Sequence, residues 1–419
     1  MAYTPERIAK IRQKEAETPE GLRRDPNVDY YHGWFFVTLN TRDEVPVLSW
    51  CEGDVAKAQD EPGAPRCVYT EVGKGVLEAW KRMAEVCKTV EIDLCEAMPE
   101  HFHGLVHLLP NNRRHLGSLI SGFMSGCSHA YWDTLGIEWR KNRDEKVKAK
   151  QEGGKVAYAK LTPDRDRDHT HSLIGPALFV HGYNDVEPIT PEQVEVKRAY
   201  IRDQAKKRLI QGDHHECFRK YRHQHSKNWT AERCMQAIAV DRTFRYNAER
   251  CKAAQDKVRA RLITDTHGIA LDHIGNKALL YSQKKLPLVC HSADVGRFEE
   301  KKEAVMDAAR KEWIIVSAFI SQKERDIKQQ LMVEGLPFIE ITDNGYSDRY
   351  KGTGKAFYAL AEDRLCQISP WTYLYLKDTP AKDGEKKAAT ISREMCLVMN
   401  ELARVISGQE DDWWKTWNR

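Results

Sequence analysis

Two periods alternate in the hydrophobic pattern of the first half of the chain. From Tyr30 to Leu39 aromatic and aliphatic residues run almost unbroken and stop at Asn40, which predicts a buried strand. Val45 to Trp50 predicts its hairpin partner, confined to a sheet edge because Pro46 has no N–H to give to a ladder. Between Lys74 and Lys88, Val76, Leu77, Trp80, Ala84 and Cys87 recur at helical spacing. Val90, Ile92 and Leu94 then alternate with Glu91, Asp93 and Cys95, as in a strand. A turn at Met98-Pro99-Glu100 leads into a further strand, His101 to Leu109. Leu116, Leu119, Ile120, Phe123 and Cys127 mark the next helix, and Ala177 to His181 another strand. Thr190 to Ile210 carries helix signals at both ends. Thr190 can cap, Pro191 fits the first turn, Gln193 completes a capping box, and Gly212 stops the helix.

The predicted order is strand, helix, strand, strand, helix, strand, helix. That is a split βαβ order with one added helix, and it predicts an α+β, ferredoxin-like domain over residues 28–212. Residues 1–27 read as a charged lead-in, and residues 137–170 as a charged inserted arm. Residues 213–262 are polar with helical patterning and read as a connector. Beyond them Leu286 to His291, Trp313 to Ala318 and Pro337 to Ile341 are short apolar strands, separated by helical segments such as Ser321 to Val333. Strands alternating with helices predict a smaller α/β, Rossmann-like domain over residues 263–410.

Composition adds limits. No apolar run approaches the roughly 18 residues of a membrane helix, and Met1 to Arg24 lacks the apolar centre of a signal peptide. The expectation is a cytoplasmic protein with no membrane partner. The formal net charge of +4 does not announce a nucleic-acid binder, but two basic runs do stand out. One is Lys206-Lys207-Arg208; the other comprises Lys141, Arg143, Lys146, Lys148 and Lys150. Such runs can follow a phosphate backbone, although a solvated helix face is the commoner use. The eleven cysteines form no CxxC pair and are expected to be reduced, packed thiols.

Candidate chemistry begins at His101-Phe102-His103. Residues two apart on a strand share a face, so two imidazoles can converge on one cation while Phe102 packs behind them. An isolated HxH pair is more often packing or surface, and His169-Thr170-His171 has the same spacing in a charged stretch without strand signal. Tyr200 and Gln204 lie one turn apart on the capped helix and share a face. An octahedral cation such as Mg²⁺ or Mn²⁺ accepts imidazole and amide oxygen and keeps positions for phosphate oxygens. Tyr200 would then be the nucleophile toward phosphorus, its phenol helped by the cation, Arg202, Lys206 and Lys207. Taken without the histidines, Tyr200 would read as a half-buried helix anchor. For single-stranded nucleic acid, Arg113 and Arg114 are candidate phosphate contacts, and Tyr30, Tyr31, Trp34 and Trp132 candidate base contacts that fit the core better.

These motifs resemble a known family. Met98 through Val106 is similar to the MPNHxHxL signature of single-tyrosine HUH transposases, near the REP-associated tyrosine transposase branch. Gly182-Tyr183-Asn184-Asp185 followed by Tyr200-Ile201-Arg202-Asp203-Gln204 resembles that branch's second signature, and Phe36-Val37-Thr38-Leu39 its first strand. The resemblance covers roughly residues 28–212. It implies a ferredoxin-like HUH domain, a divalent metal held by His101, His103 and Gln204, and Tyr200 as nucleophile. It implies a transient 5′-phosphotyrosine with a free 3′-hydroxyl, and single-stranded DNA with hairpin ends as partner. In some branches it implies a homodimer that exchanges tyrosines. Glu100 stands where the family usually has asparagine, Gln204 matches the insertion-sequence branch rather than the REP-associated one, and Ala205 replaces the usual proline. A relaxase or replication initiator would share the chemistry, and a catalytically silent single-stranded DNA-binding regulator would share the residues.

The second half offers less. Ser321-Gln322-Lys323-Glu324 is a capping box at a strand-to-helix turn. Gly352-Thr353-Gly354-Lys355 fails as a phosphate loop, because Arg349 stands where the first glycine is needed and Ala356 follows the lysine. His214, His215, Cys217, His223 and His225 match no zinc spacing. The segments Ile274 to Ser292, Val316 to Ser321 and Asp343 to Tyr346 resemble, more loosely, the Rossmann-like and DprA-like appendage of some long HUH transposases.

Overall fold

The computed structural model describes residues 28–140, 144, 148, 176–180, 182–291, 296–374 and 391–417. The predicted lead-in over 1–27, the His169-Thr170-His171 repeat and most of the charged arm lie outside the described residues. The chain is mixed α and β and divides into two compact units, Met1–Ile210 and Gln211–Arg419.

In the first unit β1 (Gly33–Asn40) is followed by a hairpin of β2 (Ser49–Glu52) and β3 (Arg66–Tyr69). Then come α1 (Glu71–Val86), β4 (Val90–Met98), β5 (His101–Leu108), α2 (Leu116–Thr134), β6 (Asn184–Val186), α3 (Pro191–Arg202) and α4 (Gln204–Asp213). The main sheet has the order β4-β5-β1-β6, antiparallel at each pairing. Strand alternation splits its residues cleanly between two faces. Phe35, Val37, Leu39, Phe102, Val106 and Leu108 pack with Val76 and Trp80 of α1 and Leu119, Ile120 and Phe123 of α2. Phe36 and Leu105 point the other way and pack with Val194 and Ile201 of α3. Both α1 and α2 have side-chain caps, from Thr70 and His115.

The first unit departs from the sequence pattern at three places. Val45 to Trp50 is no partner of β1; Ser49–Glu52 pairs instead with Arg66–Tyr69 in a separate two-stranded sheet. Of the predicted strand Ala177 to His181, the described residues 177–180 make only an isolated bridge, Thr41 to Phe179, because Leu178 and Phe179 are spent on the core; the edge strand is Asn184–Val186. The helix over 190–210 is broken at Asp203 and its second piece runs past Gly212 to Asp213. Its start is as the sequence indicates, with the Thr190–Gln193 capping box and Pro191 in the first turn.

In the second unit β7 (Lys220–Gln224), α5 (Ala231–Ala239), α6 (Ala248–Arg259) and a short β8 (Thr264–Asp265)–β9 (Gly268–Ile269) hairpin precede β10 (Leu271–Gly275). There follow α7 (Ala278–Tyr281), β11 (Lys285–Pro287), α8 (Phe298–Arg310), β12 (Ile314–Ser317), α9 (Gln322–Val333), β13 (Phe338–Ile341), α10 (Lys355–Ala361), β14 (Leu365–Ser369) and α11 (Arg393–Ser407). The sheet order is β11-β12-β13-β14-β10-β7, parallel from β11 to β14 and antiparallel at β10 and β7. Residues 213–262 are therefore no connector. Their strand β7 completes this sheet, and Cys234, Met235, Ile238, Ala254 and Val258 enter its core beside Val398 and Leu402 of α11. No helix among the described residues is long and apolar enough to cross a membrane.

Candidate active site

The face of the first sheet that α3 covers carries His101, His103 and His107, spaced two and four residues apart along β5 with Leu105 between the last two, as alternation requires. His101 and His103 have ring centroids 4.6 Å apart, with planes at 70°. His107 is engaged elsewhere: it stacks on Trp34 at 4.5 Å and its Nδ1 lies 2.9 Å from Glu91.

His103 is 4% exposed. Its Nδ1 lies 3.0 Å from Thr38 Oγ1, on the strand position directly opposite. Its Nε2 is buried without a partner. Burial, then the neighbouring His101 and Lys197, hold its pKa well below the usual histidine value. A neutral ring that donates Nδ1–H to Thr38 keeps a lone pair on Nε2, the form a metal ligand needs. His101 is more open, and its Nδ1 lies 3.5 Å from Glu100.

Tyr200 sits against His103 of this pair. Its ring meets His103 at 5.3 Å and Phe36 at 5.6 Å, both near edge-on. Ile201 and Val194 anchor α3 on Phe36 and Leu105, which sets the height of Tyr200 above the sheet. The residue remains 40% exposed. Burial of its surroundings raises the phenol pKa, and a hydrogen bond with Gln204 opposes the rise. Gln204 is buried and its Nε2 donates to the Tyr200 carbonyl at 3.0 Å, one turn back. With the amide nitrogen so committed, Oε1 is the remaining donor atom toward a cation. Among the described residues no group of three or more His, Cys, Asp or Glu is placed to hold a metal. A three-ligand site on these two imidazoles would have to take its third ligand from another residue type, and Gln204 Oε1 is one such atom.

The basic residues divide. Lys207 Nζ stands 5.4 Å from the Tyr200 ring centroid and pairs with Asp203 at 2.9 Å. Arg202 is exposed and two residues from Tyr200, a spacing that puts the two on different helix faces. Lys206 is half-buried, and Arg208 pairs with Glu100 at 3.1 Å. So two of the three residues in that basic run are neutralised within the unit. Arg113 and Arg114 are exposed but follow the far end of β5, on the order of 20 Å from His101 at strand rise. The structure does not bring them to the histidines. Tyr30 and Trp132 are core residues.

Two neighbours are given no role by the sequence motifs, and a third, Glu100, stands out there only as a departure from the family signature. Thr38 orients His103 across a strand pairing that only the sheet order reveals. Lys197, three residues before Tyr200 on the same helix face, lies 4.9 Å from the Phe36 ring centroid; helical spacing could have exposed it. Glu100 is drawn two ways: burial works to raise its pKa, but the hydrogen bond with His101 and the Arg208 charge outweigh it and hold the carboxyl below its ordinary value.

In the second unit the histidine-rich stretch separates, with His223 and His225 both turned to Asp265. Cys217 Sγ contacts Asp363 at 3.5 Å, while His225 Nε2 binds Asp265 at 2.9 Å and its Nδ1 faces the Ile269 carbonyl. The Ser321–Glu324 capping box is present, and Glu324 also accepts from Cys290 N, which makes it a structural clamp.

No family model matches the chain, and no curated protein matches it. Among solved structures, a Deinococcus radiodurans r1 protein described as a "putative transposase" aligns over 44% of this chain and 98% of its own, at 12% identity and a TM-score of 0.21. A likeness at that score bears on neither fold nor activity.

Proposed function

We propose that this protein cleaves and rejoins single-stranded DNA through a covalent Tyr200 phosphodiester, as a transposase of the single-tyrosine HUH type. The observation that carries the reading is the convergence of His101, His103 and Tyr200 on one sheet face, with Gln204 bonded one turn behind the tyrosine. We take the sheet order β4-β5-β1-β6 as the ferredoxin-like order of such domains, and the second unit as a Rossmann-like appendage.

His101, His103 and Gln204 would hold Mg²⁺ or Mn²⁺; the orphaned Nε2 of His103 fits that role. When bound, the cation would polarise the scissile phosphate and offset developing charge. Tyr200 Oη attacks phosphorus, the phosphorus–3′-oxygen bond breaks, and the leaving oxygen takes a proton to become a 3′-hydroxyl. The phenolic proton leaves to solvent. The raised pKa of the free phenol means that the attacking form has to be generated at the site rather than by bulk titration. Lys207 stands beside the ring, but its pairing with Asp203 offsets the charge it brings to the phenolate. Attack by a second 3′-hydroxyl on the phosphotyrosine would rejoin strands and regenerate Tyr200.

The test is a denaturing-gel assay with labelled single-stranded hairpins from the DNA flanking the gene, in Mg²⁺, Mn²⁺ or chelator. A metal-dependent protein–DNA adduct is expected, absent in Tyr200→Phe and in His101→Ala. An adduct that persists in Tyr200→Phe overturns the nucleophile. DNA binding without any adduct points to a regulator instead.

A further inference from the structure

The β2–β3 hairpin holds a second piece of chemistry, independent of the cleavage reading. Cys51 and Cys67 stand directly opposite each other across the two strands. Opposed residues of an antiparallel pair have Cα atoms about 4.5–5.5 Å apart, inside the span of about 4.4–6.8 Å that a disulfide bridges. Their sulfurs lie 3.7 Å apart, in contact and unbonded. Cys67 is buried, with its Sγ held 3.6 Å from Met98 Sδ in a small cluster that includes Ala205 of α4. Cys51 is the more open of the two. Its hydrogen bond with Cys67 and the Arg208 charge lower its thiol pKa against the pull of burial, while the same hydrogen bond and burial raise that of Cys67. The other cysteines with resolved shifts, Cys95, Cys127, Cys217, Cys234, Cys366 and Cys396, are all pushed upward, chiefly by burial.

We propose that Cys51 and Cys67 are a redox modification site, a dithiol that closes to a cross-strand disulfide on reaction with a small-molecule disulfide of the glutathione class. The Cys51 thiolate attacks one sulfur of the oxidant, forming a mixed disulfide and releasing one small thiol. Cys67 then attacks the Cys51 sulfur, the mixed bond breaks, and the second small thiol leaves with the Cys67 proton. Two protein thiols are oxidised and one small disulfide is reduced to two thiols. The strand register already suits the product, so only the sulfurs have to close.

The experiment treats the full-length protein with oxidised glutathione, blocks remaining thiols with iodoacetamide, and maps non-reduced peptides by mass spectrometry. The wild type is expected to give linked peptides carrying Cys51 and Cys67, two alkylated thiols fewer, and full recovery on reduction. Cys67→Ser and Cys67→Ala, either of which serves if the other misfolds, are expected to retain glutathione on Cys51. Its occupancy should be at least about tenfold above wild type, because the resolving thiol is gone. Alkylation of both Cys51 and Cys67 in the treated wild type overturns the proposal. So does glutathione persisting on wild-type Cys51 as in the variants.

Discussion

The two faces of the first sheet are built from the same strands, yet they serve different ends. Toward α1 and α2, β1 and β5 present Phe35, Val37, Leu39, Phe102, Val106 and Leu108, and the side chains interlock with Trp80 and Phe123. Toward α3 the alternate positions present Phe36, His101, His103, Leu105 and His107, under one helix. Two helices close one face completely. One helix leaves the other partly open, with a half-exposed tyrosine and a buried imidazole nitrogen that has no partner. A one-residue parity along β5 thus separates side chains that hold the fold from side chains available for chemistry.

Substitutions can break that division. Trp80→Ala, on the closed face, is expected to cost about 3–5 kcal/mol of stability by the cavity it leaves, read as a fall in denaturant midpoint. The same measurement on Tyr200→Phe should move it by less than about 1 kcal/mol, since the ring stays. A larger loss there would make Tyr200 a structural anchor. His103→Ala should fold, but should lose metal-induced stabilisation. With Mn²⁺ at about 100 times its dissociation constant, the wild type should gain about 2.7 kcal/mol and the variant none, as followed by thermal melts. Equal gains in both would remove His103 from the metal site. Gly104→Ala tests the closed face from the strand side: an added Cβ would lie 2.5 Å from the Trp80 ring. Overpacking of that kind is expected to cost about 1–3 kcal/mol, and a neutral result would show that α1 can slide. The smallest effect is at Glu100 and Arg208. A double-mutant cycle with Glu100→Gln and Arg208→Gln should return a coupling of about 0.2–1 kcal/mol, since Arg208 is 41% exposed and its charge is screened.

Local patterns were legible where a single element decides the outcome. The HxH spacing on β5, the capping boxes at Thr190 and Ser321, and the helical stripe of α2 all rest on contacts within a few residues. Pairing partners were not legible. Val45 to Trp50 has a strand-like pattern, but which strand it joins depends on Arg66–Tyr69, which carries too few apolar residues to announce itself. Ala177 to His181 shows the converse error: Leu178 and Phe179 are apolar because they fill the core, not because they lie in a ladder. Residues 213–262 misled for a third reason. A polar strand such as Lys220–Gln224 can sit at a sheet edge, where one side faces solvent and hydrophobic alternation is weak.

The sequence by itself determined which residues could share a face: His101 with His103 at strand spacing, Tyr200 with Gln204 at helical spacing. It did so because those relations follow from backbone geometry alone. Only the tertiary structure decided that the two faces meet, that Thr38 orients His103, and that Cys51 and Cys67 touch. Those relations join positions far apart in the chain. Strand register and the burial of α3 on Phe36 and Leu105 set them, and no local pattern encodes either.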